Sequence, residues 1–181
     1  MSNSPPIIIT GFMGSGKTTV ATVLAHALSR SVIDLDQVIT ASNARTPKEI
    51  IVQDGEDAFR EIETQSLQDV LKSSSGPVIA LGGGAWTLQR NRDLINVHDG
   101  ITVWLDAPFQ LCWERIRATR NEHPLAPDQG QAQMLYVERR PQYALAQLHV
   151  EVDGNKSIDQ ISAEIAEALQ VRANSKGPWS K

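Results

Sequence analysis

The sequence predicts an α/β fold built on one parallel sheet, and two observations predict it. Short β-branched segments alternate with stretches of helical periodicity along the whole chain, without repeats or a break in composition. A glycine-rich loop at residues 11–18 joins the first such segment directly to the first helical stretch.

Ile7–Thr10 is a β-branched run ending at that loop, which reads as a buried parallel strand. After the loop, Val20, Val23, Leu24, Ala27 and Leu28 recur at helical spacing. Residues 31–35 form a short second strand with acids at its carboxyl end. Three signals agree on a helix start at residues 46–49: Thr46 can cap, Pro47 suits the first helical position, and Glu49 completes a capping box. Asp54 and Gly55 interrupt that helix, and Glu56–Leu71 forms the next. Residues 78–81 are a third strand running into Gly82, Gly83 and Gly84. Residues 101–105 are a fourth, and Pro108 opens the helix after it. Residues 122–130 hold two prolines and a glycine and read as a mobile connector. Residues 132–148 are helical in pattern, bent or divided by Pro141. A fifth strand at 149–152 and a last helix capped by Ser157 and Gln160 complete the pattern. The expected organisation is one domain over residues 1–172 and a disordered tail at 173–181.

Hydrophobic residues make up 41% and charged residues 21%, as in soluble globular proteins. The net charge of −4 argues against a nucleic-acid partner, which normally needs a basic face. Arg115, Arg117, Arg120, Arg139 and Arg140 do form a local basic cluster, open to reading as a solvated helix face or as part of a site. Cys112 is the single cysteine and suits a core position. The N-terminus lacks a basic start, and its apolar run is too short for a signal peptide or a membrane span. The expected location is the cytoplasm.

Gly11-Phe12-Met13-Gly14-Ser15-Gly16-Lys17-Thr18 fits the Walker A pattern G-x-x-x-x-G-K-[ST]. Glycines let backbone N–H groups turn inward around phosphate oxygens, and the helix that follows presents its positive dipole end. Lys17 reaches the β- and γ-phosphates, and Thr18 offers a hydroxyl to Mg²⁺. The candidate nucleotide site is therefore Gly14, Ser15, Gly16, Lys17, Thr18 and Thr19, with ATP as co-substrate.

The acceptor must be read elsewhere. Asp34 and Asp36 stand at the end of the second strand, where α/β sheets bind ligands. They can order a metal's water shell and accept a substrate hydroxyl's hydrogen bond, or one can simply cap the next helix. Arg60 and Glu63 are i,i+3 neighbours, open to reading as a surface ion pair or as a guanidinium held to meet a carboxylate in fork geometry. Three consecutive glycines at 82–84 fit close approach of backbone to a ligand, or a tight turn.

The set GFMGSGKTT, DLD, FREIE, LGGGA, WLDAP and ERRPQY resembles the shikimate kinases in order and spacing, over about residues 7–152. The resemblance implies a P-loop fold of the nucleoside-monophosphate-kinase type, with sheet order 2-3-1-4-5. It implies transfer of the ATP γ-phosphate to the 3-hydroxyl of shikimate, on the route to chorismate and the aromatic amino acids, by a monomer. Asp34 would then assist Mg²⁺ binding, and Asp36 would bind shikimate hydroxyls and serve as base. Arg60 and Arg139 would hold the shikimate carboxylate beside Gly82, Gly83 and Gly84. Arg117 would stack on adenine near Asn155, and residues 34–63 would form the substrate-binding segment. A lid is implied at about 119–130. There this chain departs from the family's R-P-L-L pattern: it reads His123-Pro124-Leu125-Ala126, so His123 stands where an arginine is usual. Arg120 is the candidate catalytic replacement; the other reading is a lid that contributes less. Two rivals stand beside this assignment: another small-molecule kinase, such as a gluconate kinase, and a nucleotide-binding regulator without chemistry.

Overall fold

The computed structural model describes residues 4–72, 76–118 and 124–175. Five strands form one parallel sheet: β1 (Ile7–Thr10), β2 (Val32–Asp34), β3 (Val78–Ala80), β4 (Ile101–Asp106) and β5 (Leu148–Glu151). Their order is β2-β3-β1-β4-β5, as the resemblance implied. The central β1 pairs Ile7 with Val78 on one side and with Ile101 on the other. Ile7, Ile8 and Ile9 are all buried, because helices cover both faces of the sheet and leave no polar side for alternation.

The helices are α1 (Lys17–Ala27), α2 (Leu35–Asn43), α3 (Pro47–Asp54), α4 (Glu56–Leu71), α5 (Gln89–Val97), α6 (Phe109–Ala118), α7 (Gln129–Tyr143) and α8 (Ile158–Ser175). α1 packs against α8 and β3, while α4 packs against α2, α3 and α5. Both halves of the Thr46–Glu49 capping box form: Glu49 N donates to Thr46 Oγ1 at 3.2 Å, and Thr46 N to Glu49 Oε2 at 2.7 Å. Ser157 and Gln160 bond reciprocally in the same way, at 3.2 and 2.8 Å.

Several boundaries differ from the sequence reading. β2 stops at Asp34, because Asp34 caps α2 and Leu35 is already its first helical residue, fully buried. Asp36 therefore sits in the first turn of a helix, not on a strand. α7 begins at Gln129, where Asp128 accepts a bond from Gln131 N at 2.9 Å, so the end of the expected connector is helix. α7 ends at Tyr143; Pro141 lies in its last turn and does not divide it. α5 and a short 3₁₀ turn at Ala85–Thr87 had no strong periodic signal. α8 continues to Ser175, so residues 173–175 of the expected tail are helical. Residues 176–181, and residues 119–123 with Arg120 and His123, lie outside the described residues. Among the described residues, no helix is long and apolar enough to cross a membrane.

Candidate active site

An open cavity of about 920 Å³ lies at the carboxyl edge of the sheet. The loop before α1 lines it with Met13, Gly14, Gly16, Lys17, Thr18 and Thr19. Asp34, Asp36, Arg60, Glu63, Gly82, Gly83, Gly84, Arg115 and Arg139 line the rest, with Thr46, Pro47, Ile51 and Phe59 as a partly apolar wall.

The loop's shape depends on glycine. Gly14 and Gly16 have φ of 76° and 97°, which disfavour any side chain. A Cβ on Gly14 would also lie 2.6 Å from the Cys112 carbonyl of α6, which packs beneath the loop. α1 then starts without a side-chain cap, so its leading N–H groups and its dipole are left for an anion. Lys17 Nζ donates to the Phe12 carbonyl at 2.9 Å. Burial pushes its pKa down, and the neighbouring Asp36 resists this. Cys112 is buried, and burial pushes its thiol up to about 11, so it is inert core filler near neutral pH.

Asp34 does two things at once. Oδ1 accepts from the N–H groups of Asp36 and Gln37 at 3.0 and 3.2 Å, capping α2. Oδ2 accepts from Thr18 Oγ1 at 2.6 Å. Asp34 therefore caps α2 and meets the phosphate loop at the same time.

Arg60 is 8% exposed and Glu63 is 0% exposed, which rules out a surface pair. Arg60 Nη1 meets Glu63 Oε2 at 2.7 Å, and Nη2 meets Glu56 Oε1 at 2.9 Å. Burial pushes the Glu63 carboxyl up, opposed by Arg60. Glu63 Oε1 is buried without a hydrogen-bond partner. It faces the same point as Asp36 Oδ1: a Cβ on Gly82 would lie 2.7 Å from the first and 2.9 Å from the second. A Cβ on Gly84 would lie 2.3 Å from Arg60 Nη2. None of the three glycines at 82–84 has positive φ; space requires glycine at 82 and 84, while a Cβ on Gly83 would meet only ordinary contacts.

The basic cluster separates by helix face. Arg139, 7% exposed, turns into the cavity from α7. Arg140 pairs with Asp106 at 2.7 Å and lies over the Trp104 ring, away from it. On α6, Arg115 lines the cavity and donates to the Gly14 and Ser15 carbonyls at 3.2 and 3.3 Å. Arg117 is exposed and does not line it, because residues two apart on a helix face different ways. The sequence reading named Arg117 for the adenine end and gave Arg115 no role; Arg115 is the member of the pair at the cavity wall. The signal was present: Cys112 and Ile116 mark the buried stripe, and Arg115 is three residues after Cys112. Asn155 also lies off the cavity lining; it is exposed and bonds to Asp153. Ser15 is buried in the loop with its hydroxyl unpartnered.

Asp36 gives a testable pH dependence. Burial pushes its carboxyl up, Asp34 adds to the effect, and Lys17 and Arg60 oppose it. Between the ordinary carboxyl pKa near about 4 and the raised value, the folded protein keeps a proton that the unfolded chain has released. This group's contribution to stability therefore falls as pH rises through that window. The Asp36→Asn variant should unfold at a higher temperature than wild type, by a larger margin at about pH 8 than at about pH 4. Asp36 is itself open to the cavity, so a margin independent of pH would show that its carboxyl is not raised.

A family model described as shikimate kinase matches residues 13–170. A shikimate kinase from Cereibacter sphaeroides is 37% identical over 168 residues, covering 92% of this chain and 83% of the relative. One from Symbiobacterium thermophilum is also 37% identical, over 173 residues, covering 92% and 97%. The solved shikimate kinase from Acinetobacter baumannii, in complex with shikimate, superposes with a TM-score of 0.84 at 29% identity, covering 93% of this chain and 94% of that one. The family match covers the phosphate loop from Met13 onward, the buried Arg60–Glu63 pair, the glycine triplet and Arg139, and the chain belongs to the shikimate kinase family.

Proposed function

We infer that this protein transfers the γ-phosphoryl group of ATP to the 3-hydroxyl of shikimate, in the route to chorismate and the aromatic amino acids. One observation carries the reading. The buried guanidinium groups of Arg60 and Arg139 share a single cavity with Asp36 and with a phosphate loop, so a carboxylated polyol and a nucleotide triphosphate can meet there.

In this reading the amides of Gly14, Ser15, Gly16, Lys17, Thr18 and Thr19 hold the phosphates. Arg60 and Arg139 hold the shikimate carboxylate, and the backbone of Gly82, Gly83 and Gly84 supports the ring. Asp36 accepts the 3-hydroxyl proton as the hydroxyl oxygen bonds to the γ-phosphorus and the bond to the β–γ bridging oxygen breaks. A raised carboxyl pKa suits that role, provided Asp36 is ionised at the start. Lys17 leaves the Phe12 carbonyl and moves to the phosphates, where it offsets developing charge. Arg117 and Asn155 remain candidates for the adenine end only if they move towards it; Arg115 is already at the loop.

Thr18 Oγ1 and Asp34 Oδ2, 2.6 Å apart, are hard oxygen donors of the kind Mg²⁺ takes alongside phosphate and water. Among the described residues, no group of three or more His, Cys, Asp or Glu forms a metal cage, and a metal shared with phosphates needs none. When bound, the ion would neutralise phosphate charge. We place residues 1–172 in a single kinase domain, acting as a cytoplasmic monomer on small molecules, without nucleic-acid or membrane partners.

The direct test is shikimate-dependent ADP release, with gluconate as the competing acceptor. Turnover with shikimate and not with gluconate is expected. MgATP binding without turnover of shikimate would favour a regulator. In the same assay Arg120→Ala should cost more activity than His123→Ala, because histidine lacks the arginine's permanent charge and planar fork. Equal, negligible losses would remove both residues from the lid's chemistry.

A further inference from the structure

Tyr143 closes α7, one turn beyond Arg139, and is 1% exposed. Its hydroxyl donates to the carbonyl of Gly83. Trp86, just after the glycine triplet, donates in the other direction, from Nε1 to the Gln142 carbonyl at 2.9 Å. Two hydrogen bonds of opposite sense thus tie the last turn of α7 to the glycine loop. The two elements face each other across the cavity wall: a Cβ on Gly83 would lie 3.9 Å from Arg139 Nη1 and 3.5 Å from the Met13 amide. The tyrosine ring is itself held, stacked on Trp104 with centroids 6.3 Å apart and an interplanar angle of 30°. Burial pushes the phenol up to about 12, so the hydroxyl remains a donor across the working pH range.

A buried tyrosine needs some partner for its hydroxyl, and a purely structural role would satisfy that need anywhere. Here the partner is the loop backbone beside the cavity, and the tyrosine shares a helix with the arginine opposite. We propose that Tyr143 is a positioning residue for the acceptor's carboxylate: its bond to Gly83 sets the spacing between the glycine-loop backbone and the Arg139 guanidinium. An acceptor whose carboxylate meets Arg139 while its ring rests on the glycine-loop backbone is sensitive to that spacing, since hydrogen bonds weaken steeply once distance and angle leave a narrow range. This inference rests on shikimate being the acceptor.

The test is steady-state kinetics of the full chain carrying Tyr143→Phe, which keeps the ring and removes one oxygen. The KM for shikimate should rise about tenfold, the size of one lost hydrogen bond in a buried site, while the KM for ATP stays within about twofold and kcat within about threefold. Trp86→Phe, which removes the opposing bond, should move the shikimate KM in the same direction and keeps the inference testable if Tyr143→Phe does not fold. A wild-type enzyme that does not turn over shikimate would defeat the acceptor assignment itself. A wild-type enzyme that does, with both variants keeping the shikimate KM within about twofold, would overturn the positioning role alone. So would equal losses in both KM values together with a lowered unfolding temperature, the signature of a merely structural residue.

Discussion

Lys17→Ala lowers kcat about a thousandfold, with the KM for shikimate changed by less than about threefold. The expected loss lies in the rate because the lysine bonds to its own loop in the resting protein, 2.9 Å from the Phe12 carbonyl, and the shikimate carboxylate is assigned to Arg60 and Arg139. Its charge matters when negative charge redistributes over the transferring phosphoryl group. Stability should change little. Burial lowers the lysine's pKa, so near neutral pH its charged form is held at a cost that the variant loses, but the variant also loses the charge that opposes the upward shift of Asp36. Thermal unfolding near the wild-type midpoint, together with the kcat loss in an ADP-release assay, is the expected pair of results. A kcat within about tenfold of wild type would remove Lys17 from the transition state.

Arg60→Ala raises the KM for shikimate about a hundredfold and leaves MgATP binding unchanged. Two effects combine. The carboxylate loses a guanidinium that Glu63 and Glu56 hold in place at 2.7 and 2.9 Å. Glu63, wholly buried, also loses the charge that opposes its desolvation, a change that costs about 3–5 kcal/mol when one partner of a buried pair is removed. Since that cost could unfold the protein, Gly84→Ala is the companion variant. Its Cβ would stand 2.3 Å from Arg60 Nη2 and must push the guanidinium aside while both charges remain. Calorimetric titration with each ligand separates the possibilities. Shikimate bound as tightly as in wild type by both variants would show the carboxylate assignment to be wrong.

Much of the fold was legible because its signals are local. The isoleucine run of β1 can only be a strand buried on both faces, and Gly11 to Thr18 is a backbone shape written in residue types. Thr46, Pro47 and Glu49 define a helix start by contacts within four residues. α5 was not legible: its run from Gln89 to Val97 buries only Asn91 and Ile95, and Asn91 is held by Thr64 and Ala85, which are distant or off the helix. The end of α8 was missed for a similar reason, since polar composition near a terminus looks the same in an exposed helix turn as in loose chain.

The site divides along the same line. By itself, the sequence marked the phosphate loop, the acids Asp34 and Asp36, Arg60 with its neighbour Glu63 and the glycine triplet as candidates, because spacing within one segment brings those residue types together. Only the tertiary structure decided which arginine of α6 meets the loop, that Asp34 caps a helix and reaches Thr18 together, and that Gly82 and Gly84 are glycine to leave room for Asp36, Glu63 and Arg60. Those facts depend on the distance between elements far apart in the chain, and such distances are set by packing, which no local pattern of residue types records.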